Sequence, residues 1–405
     1  MGMAKIIMHI DLNAFFVTCE EIRDPSLIGK PVMIGHAGRS GIVSTCSYAA
    51  RKYGVHSGQP TFQAQKLCPN LIIIPGDYSY YSLMSDSFYV YLKRYSEIIE
   101  RASIDECFVD MSKAMMGEKD PEGFLRRLQN GLKEETGLSC SIGIAPTKWL
   151  AKMASDMKKP MGLTFLRKRD IPTLLYPLPI ESFWGIGKKT APRLRGKGIK
   201  TIGDLAAFLE KEDAEKEFGK FYYTLKQWLN GTSSDVVEVE EEDPKSIGNS
   251  ETLMHDEDSE LDVAPVIKRL SYEVAGRAKS QGLIGQTITL QVKDAHYDEQ
   301  GETFHLKNKS VSFKEGTNDG DFLYERCLEL YRANFLGMPI RLVGVSLSKL
   351  KNPVTETVQM SFWNYEDYEE RDKTKLLINE INRKLDKPAL TRASKLKKGN
   401  KNGNR

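Results

Sequence analysis

Cysteine is scarce and unpaired in this 405-residue chain: Cys19, Cys46, Cys68, Cys107, Cys140 and Cys327 are scattered, with no CxxC pair among them. That excludes a disulfide framework, and the six histidines never reach metal-ligand spacing, so a zinc site is excluded as well. No apolar run approaches the roughly 18 residues of a membrane span. The apolar N-terminal patch is broken by Asp11 too early for a signal peptide. A cytoplasmic protein without a membrane partner is therefore expected. There is no solenoid-type repeat and no Walker-type phosphate loop. A net charge of +3 is too small to announce a nucleic-acid partner.

What is present is an ordinary globular composition with 40% apolar and 28% charged residues, long enough for two to four domains at roughly 100–200 residues each. Charge is unevenly placed. Twelve Asp or Glu stand against the single Lys245 between Ser234 and Asp262, whereas seven Lys or Arg and no acid follow from Lys387.

Through the first 165 residues, short apolar runs ("KIIMHI", "PVMIG", "GIVST", "LIIIP", "CFVDM", "LSCSIGIA") alternate with helical patterns at Tyr78 to Tyr95 and Glu122 to Thr136. This predicts a mixed α/β domain whose strands share one sheet. From about Lys168 short helices separated by glycine turns take over. In "ESFWGIGKKTAPRLRGKGIKTIGDL", Gly185 and Gly187 open a helix and Gly196 and Gly198 close it, a helix-hairpin-helix pattern. The acidic "DVVEVEEEDPKS" reads as a linker or an exposed edge strand. Beyond it "GQTITLQVKDA" alternates, with Ile288, Leu290 and Val292 on one face and Thr287, Thr289, Gln291 and Lys293 on the other. With helices near Asp262 to Lys279 and Gly320 to Asn334, this predicts a β-α-β-β-α-β domain ending near Leu350. The remainder carries "VQMSFWNYED", one amphipathic helix around Thr374 to Leu385, and the lysine-rich end.

Two acidic sites stand out. In "KIIMHIDLNAFF" an apolar strand delivers Asp11 to its end, with Phe15 and Phe16 close behind. In "SIDECFVDM", Asp105 and Glu106 sit at the head of another apolar strand. Buried unpaired acids are costly, so a positive partner is required. Hard divalent cations suit them, magnesium above all, and three converging carboxylates can hold two ions. A solvated turn fits the "DE" pair as well, and in a regular strand the two side chains point to opposite faces unless the backbone bends. Thr45, Tyr48 and Arg51 fall on a helix start, with Tyr48 and Arg51 three apart on one face, and Lys152, Lys158 and Lys159 precede Pro160. Hydroxyl, phenol, guanidinium and ammonium together suit a triphosphate, though each alone is an ordinary surface residue.

"HIDLNAFF", "STCSYAARKYGV", "SIDECFVD" and "SIGIAPTKWLAKMASDMKKPMGL" resemble, in order and separation, the signature segments of Y-family DNA polymerases, which copy past damaged template bases. The likeness covers about 350 residues, and "DLNAFFVTCE" leans towards the bacterial polymerase V-like branch. It implies a right-hand fold: an α/β palm at 1–12 and 76–166, small fingers at 13–75, a helical thumb with the helix-hairpin-helix at 167–233, a linker at 234–245, a little finger at 246–350 and a tail at 351–405.

Carried over by residue, the resemblance implies that Asp11, Asp105 and Glu106, assisted by the Leu12 carbonyl, hold two magnesium ions. Phe15, Phe16, Thr45, Tyr48, Arg51 and Lys159 meet the deoxynucleoside triphosphate, Phe16 being the steric gate against a 2′-hydroxyl. Core packing also describes Phe15. Val32, Gly41 and Ile42 roof the nascent base pair, and Gly185 and Gly187 meet primer phosphates of the primer-template DNA. "QMSFW" resembles the peptide by which bacterial polymerases bind the sliding clamp, with Gln359, Met360, Phe362 and Trp363 as its anchors; Trp in last place departs from the commoner Phe or Leu. An accessory protein of this fold without synthesis, and a metal-dependent nuclease, are the rivals. The intact acids oppose the first, and Phe16 with the triphosphate set opposes the second.

Overall fold

The computed structural model describes residues 5–39, 41–239, 243–297 and 304–353. They fall into two compact units, the described residues up to 244 with Thr252–Asp256, and Lys245–Glu251 with the described residues from Glu257 onward. In the first, the chain order is β1 (Ile7–Leu12), α1 (Phe15–Arg23), β2 (Val32–Gly35), β3 (Val43–Cys46), α2 (Tyr48–Arg51), α3 (Thr61–Leu67), β4 (Ile72–Ile74) and α4 (Tyr78–Leu92). It continues with β5 (Ile99–Arg101), β6 (Glu106–Asp110), α5 (Pro121–Thr136), β7 (Cys140–Ala145), α6 (Lys148–Asp156) and β8 (Leu163–Phe165).

Strand β1 is the middle of a five-stranded sheet ordered β5-β6-β1-β7-β8, antiparallel to both of its neighbours. Alternation divides its side chains between two cores. Met8, Ile10 and Leu12 join the cluster with Phe88 of α4 and Leu125 and Leu128 of α5, while Ile7 joins Phe108, Trp149 and Leu150 on the opposite side. His9 and Asp11 share that second face with Ile7. The helices start where the sequence places stops: Asp120 caps α5 at the Gly123 amide with Pro121 in the first turn, and Thr147 caps α6 at the Leu150 amide.

The strands of this unit do not share one sheet. β2, β3 and β4 form a separate three-stranded sheet ordered β3-β2-β4, with its own core of Met33, Val43, Cys46, Ala50, Val55, Ala64 and Cys68. β6 and β7 pair with the two edges of β1, whereas β2 pairs with β3 and β4. The very short β5 and β8 complete the larger sheet and carry too few residues to show a period.

After β8 come α7 (Thr190–Gly196), α8 (Ile202–Phe208), α9 (Ala214–Phe218) and α10 (Phe221–Leu229), with no strand named between 168 and 239. The segment before the "GIG" hairpin is only a 3-10 turn at Ile180–Ser182. α8 opens with a capping box between Thr201 and Asp204.

The remaining elements are β9 (Ser246–Glu257), whose Thr252–Asp256 stretch falls in the first unit, then α11 (Glu260–Ser280), β10 (Ile284–Tyr297), β11 (Phe304–Thr317), α12 (Gly320–Asn334) and β12 (Ile340–Lys351) of the second, the expected β-α-β-β-α-β order. Their sheet is ordered β11-β10-β12-β9. Ile288, Leu290 and Val292 are fully buried with Val263 and Ile267 of α11 and Leu323 and Tyr331 of α12. On the opposite face the Thr287 and Thr289 hydroxyls pair with Ser312 and Ser310, each at 2.8 Å.

Candidate active site

Asp11 stands directly opposite Glu106 in the β1–β6 pair and opposite Ser141 in the β1–β7 pair. Opposed residues of antiparallel strands leave the sheet on one face, so the two carboxylates emerge side by side. Asp105 precedes the regular part of β6, in a bend where its backbone carbonyl accepts from the Leu12 amide at 3.0 Å. The Ser103 hydroxyl donates to Asp105 Oδ1 at 2.6 Å. The backbone therefore does bend, and both acids of the "DE" pair reach the same cavity wall.

Helix α6 supplies the positive partners' scaffold. Gly143 of β7 has no side chain because the Ala151 carbonyl and the Ser155 amide occupy the place of its Cβ; glycine lets α6 lie directly on the sheet. Lys152, 7% exposed, then reaches Glu106 Oε1 at 2.7 Å, Asp11 Oδ2 at 3.3 Å and Asp156 Oδ2 at 3.4 Å. Lys159 reaches Asp11 Oδ2 at 2.6 Å and Asp156 Oδ1 at 2.7 Å. His9 is fully buried, its Nδ1 paired with the Ser155 hydroxyl at 2.8 Å. Its Nε2 lies 3.4 Å from Glu106 Oε2 without hydrogen-bond alignment.

The charges are strongly perturbed. Burial, helped by the adjacent Glu106, pushes the Asp11 carboxyl up to about 7 against the pull of Lys159 and Lys152. Burial also opposes ionisation of Glu106, yet His9, Asp11 and Lys152 together hold it well below the usual carboxylate range. Burial disfavours the Lys152 ammonium too, but Asp156, Glu106 and Asp11 outweigh it and raise its pKa. For His9 burial dominates and lowers its pKa against the opposing pull of Glu106. Two carboxylates held side by side in a desolvated place are a cation-seeking arrangement.

A cavity of about 350 Å³ opens in front of them. Its wall includes Asp11, Asp105 and Glu106, then Phe15 and Phe16 from α1, Thr45 from β3, Tyr48 and Arg51 from α2, and Lys159. Ala14 turns β1 into α1 with φ 45°, a left-handed conformation that costs a non-glycine residue roughly 1–2 kcal/mol and places both rings next to Asp11. Phe15 is 3% exposed and mostly core. Phe16 stacks on Tyr81 with centroids 4.4 Å apart and meets the Tyr78 ring edgewise at 5.5 Å. Tyr81 is itself anchored by its hydroxyl to Glu20 Oε1 at 2.7 Å. The Arg51 guanidinium lies 4.6 Å above the Tyr48 ring, and its Nε donates to the Cys46 carbonyl.

Several expectations need correction. Thr45 lies on a strand, so only Tyr48 and Arg51 share a helix. Val32 is fully buried in β2 and reaches no surface from which to roof a base pair; the exposed residue just past that strand is His36. Gly41 is buried and Ile42 is 54% exposed, bridged to Pro60. Of the three lysines expected together, only Lys159 lines the cavity: Lys158 does not, and Lys152 lies behind the carboxylates. Among the described residues no three His, Cys, Asp or Glu converge on one point as a metal cluster. The carboxylates share a wall, and their all-oxygen chemistry with the Leu12 backbone alongside fits a hard divalent ion. Ser44, Ser57 and Ile104 also line the cavity, and no sequence pattern marks them out.

Gly185 and Gly187 are exposed on the hairpin ahead of α7 and do not line this cavity. Gly185 has φ +109°, and Trp228 stands 2.9 Å from where its Cβ would be, so only glycine fits. Gln359, Met360, Phe362 and Trp363, with the helix expected around Thr374 to Leu385, lie outside the described residues. Among the described residues no helix is long and apolar enough to cross a membrane.

Comparison with known proteins gives one answer. The impB/mucB/samB family profile matches residues 10–156, the IMS family HHH motif residues 168–199, and the impB/mucB/samB family C-terminal domain residues 244–362. DNA polymerase IV 1 of Bacillus subtilis is 33% identical over 402 residues, covering 98% of this chain and 94% of its own. DNA polymerase IV of Clostridium kluyveri is 36% identical over 410 residues, covering 98% and 99%. These relatives carry the polymerase IV name, the branch opposite to the one "DLNAFFVTCE" leans towards. Among solved structures, a Y-family DNA polymerase chimera of Dbh and Dpo4 matches with TM-score 0.73 at 27% identity, covering 85% of this chain and 98% of that one. DinB from Sulfolobus solfataricus matches with TM-score 0.55 at 28% identity, with the same coverage.

Proposed function

Since the chain belongs to the impB/mucB/samB family and is a Y-family, DNA-directed DNA polymerase of the translesion kind, we propose that it adds nucleotides by a two-metal transfer in this cavity, with low fidelity and low processivity. The observation that carries the reading is that Asp11, Asp105, Glu106, Phe16, Thr45, Tyr48, Arg51 and Lys159 line one cavity although the chain separates them by up to 148 residues. On this reading Asp11, Asp105, Glu106 and the Leu12 carbonyl hold the metals. Two magnesium ions bound there would stabilise the attacking 3′-oxygen and the leaving pyrophosphate.

The remaining work falls to this chain's own groups. Thr45, Tyr48, Arg51 and Lys159 orient and neutralise the triphosphate, since phosphoryl transfer is mainly positioning and charge stabilisation. Phe16, braced by Tyr81, lies under the sugar. Ile42 covers the nascent base pair from an exposed position. The Gly185 and Gly187 amides take primer phosphates, and the hydroxyl face of β10 lies along the duplex, fixing register without reading bases. The domain limits proposed are palm at 1–12 and 76–166, fingers at 13–75, thumb at 167–233, linker at 234–245, little finger at 246–350 and tail at 351–405. Gln359, Met360, Phe362 and Trp363 tether the enzyme to a sliding clamp. The test is primer extension with and without nucleotides: template-directed extension is expected, binding alone would leave an accessory protein, and shortening of the primer or template a nuclease.

A further inference from the structure

Lys152 belongs to no group that touches nucleotide or DNA in the reading above, yet it is the most buried cation of the site. Its ammonium contacts Asp11, Glu106 and Asp156, and unlike Asp11, Glu106 and Lys159 it does not line the cavity. It is also built in. Gly143 lets α6 rest on the sheet, the Ser155 hydroxyl donates to the Lys152 carbonyl at 2.9 Å, and the same hydroxyl meets His9 Nδ1 at 2.8 Å. Lys159, by contrast, approaches Asp11 and Asp156 from the cavity wall and does not reach Glu106 among its ion pairs.

We propose that Lys152 is a positioning residue: its ammonium is the permanent internal counter-ion that holds the Asp11 and Glu106 carboxylates side by side and turned to the cavity. This rests on the reading of those carboxylates as the metal-holding pair. Removing one partner of a buried ion pair leaves the other uncompensated, whereas removing both is far less damaging.

A thermal-unfolding cycle in chelator, without DNA or nucleotide, tests it. Lys152→Met keeps the length of the stem and loses the charge; its midpoint is expected to fall by about 4 °C or more. Glu106→Gln in the same chain should restore most of that loss, and Lys152→Arg should lose less than Lys152→Met. Saturating Mn²⁺ should raise the Lys152→Met midpoint by more than it raises the unmodified protein's. If Lys152→Met fails to fold, a folded Lys152→Met/Glu106→Gln protein supports the inference and an unfolded one overturns it. Additive losses in the cycle, or an equal Mn²⁺ increment in both proteins, would show that Lys152 matters only through its packing. Because the cycle measures no synthesis, its failure is separate from a failure of the polymerase reading, which primer extension decides.

Discussion

Asp11 faces Glu106 across two antiparallel strands, and the register that pairs them also sends both side chains to the face on which α6 lies. Asp105 joins them only because the chain bends ahead of β6. Asp105→Ala or Glu106→Ala is therefore expected to abolish nucleotide addition while primer-template affinity, which comes chiefly from phosphate contacts elsewhere, survives. Extension and fluorescence-anisotropy binding are measured on the same preparations. Measurable extension by Asp105→Ala in magnesium would end the metal assignment.

Phe16 owes its position to the Tyr81 ring stacked beneath it at 4.4 Å. Phe16→Ala leaves room for a 2′-hydroxyl and should admit ribonucleotides, with a much smaller loss of deoxynucleotide addition. The quantity to read is the ratio of ribo- to deoxynucleotide incorporation. An unchanged ratio would make the ring a packing residue only.

Gly185 combines a left-handed φ with the Trp228 ring against it. Gly185→Ala is expected to destabilise the protein by about 1–2 kcal/mol, from backbone strain and crowding together. Primer-template affinity should fall across all sequences, since phosphate contacts carry no base preference. Urea unfolding and binding to two unrelated duplexes check both halves; affinity lost on one duplex alone would contradict the phosphate role.

The "QMSFW" peptide places Met360, Phe362 and Trp363 within four residues after the turn-like "KNPVTET". Aromatic anchors in small interfaces often cost ~2 kcal/mol or more on truncation. Replacing Gln359, Phe362 and Trp363 by Ala should abolish clamp binding and clamp-stimulated processivity yet leave single-nucleotide insertion without clamp unchanged, because tethering raises effective concentration and not the chemical rate. Joint loss of thermal stability and basal insertion, with clamp affinity retained, would instead place these rings in packing.

The second unit was the most legible part of the sequence. Its strands alternate over long runs, and its helix at Gly320–Asn334 falls where the periodicity predicts it. The acids were legible as well, because Asp11 and the Asp105–Glu106 pair interrupt apolar strands that have no local need of charge. The roofing position that the resemblance assigns to Val32 is not borne by that residue, because all of β2 is buried and the exposed position comes only after it, at His36. The division into two sheets was not legible either. It depends on which strands pair with which, a property of several segments rather than of any one.

Local chemistry in the sequence, then, determined the residue types of the site: hard oxygen donors, a ring beside them, and hydroxyl, phenol and cations suited to phosphate. Only the tertiary structure decided that Glu106 lies opposite Asp11, that Lys152 stands behind both while Lys159 stands in front, and that Gly143 must lack a side chain for α6 to come that close. The physical reason is that register and helix-to-sheet contact arise between different segments, some of them far apart in the chain, as the separation of 141 positions from Asp11 to Lys152 shows. A sequence pattern reports what one segment prefers, and the charge balance of a buried site is set by what several segments bring to it.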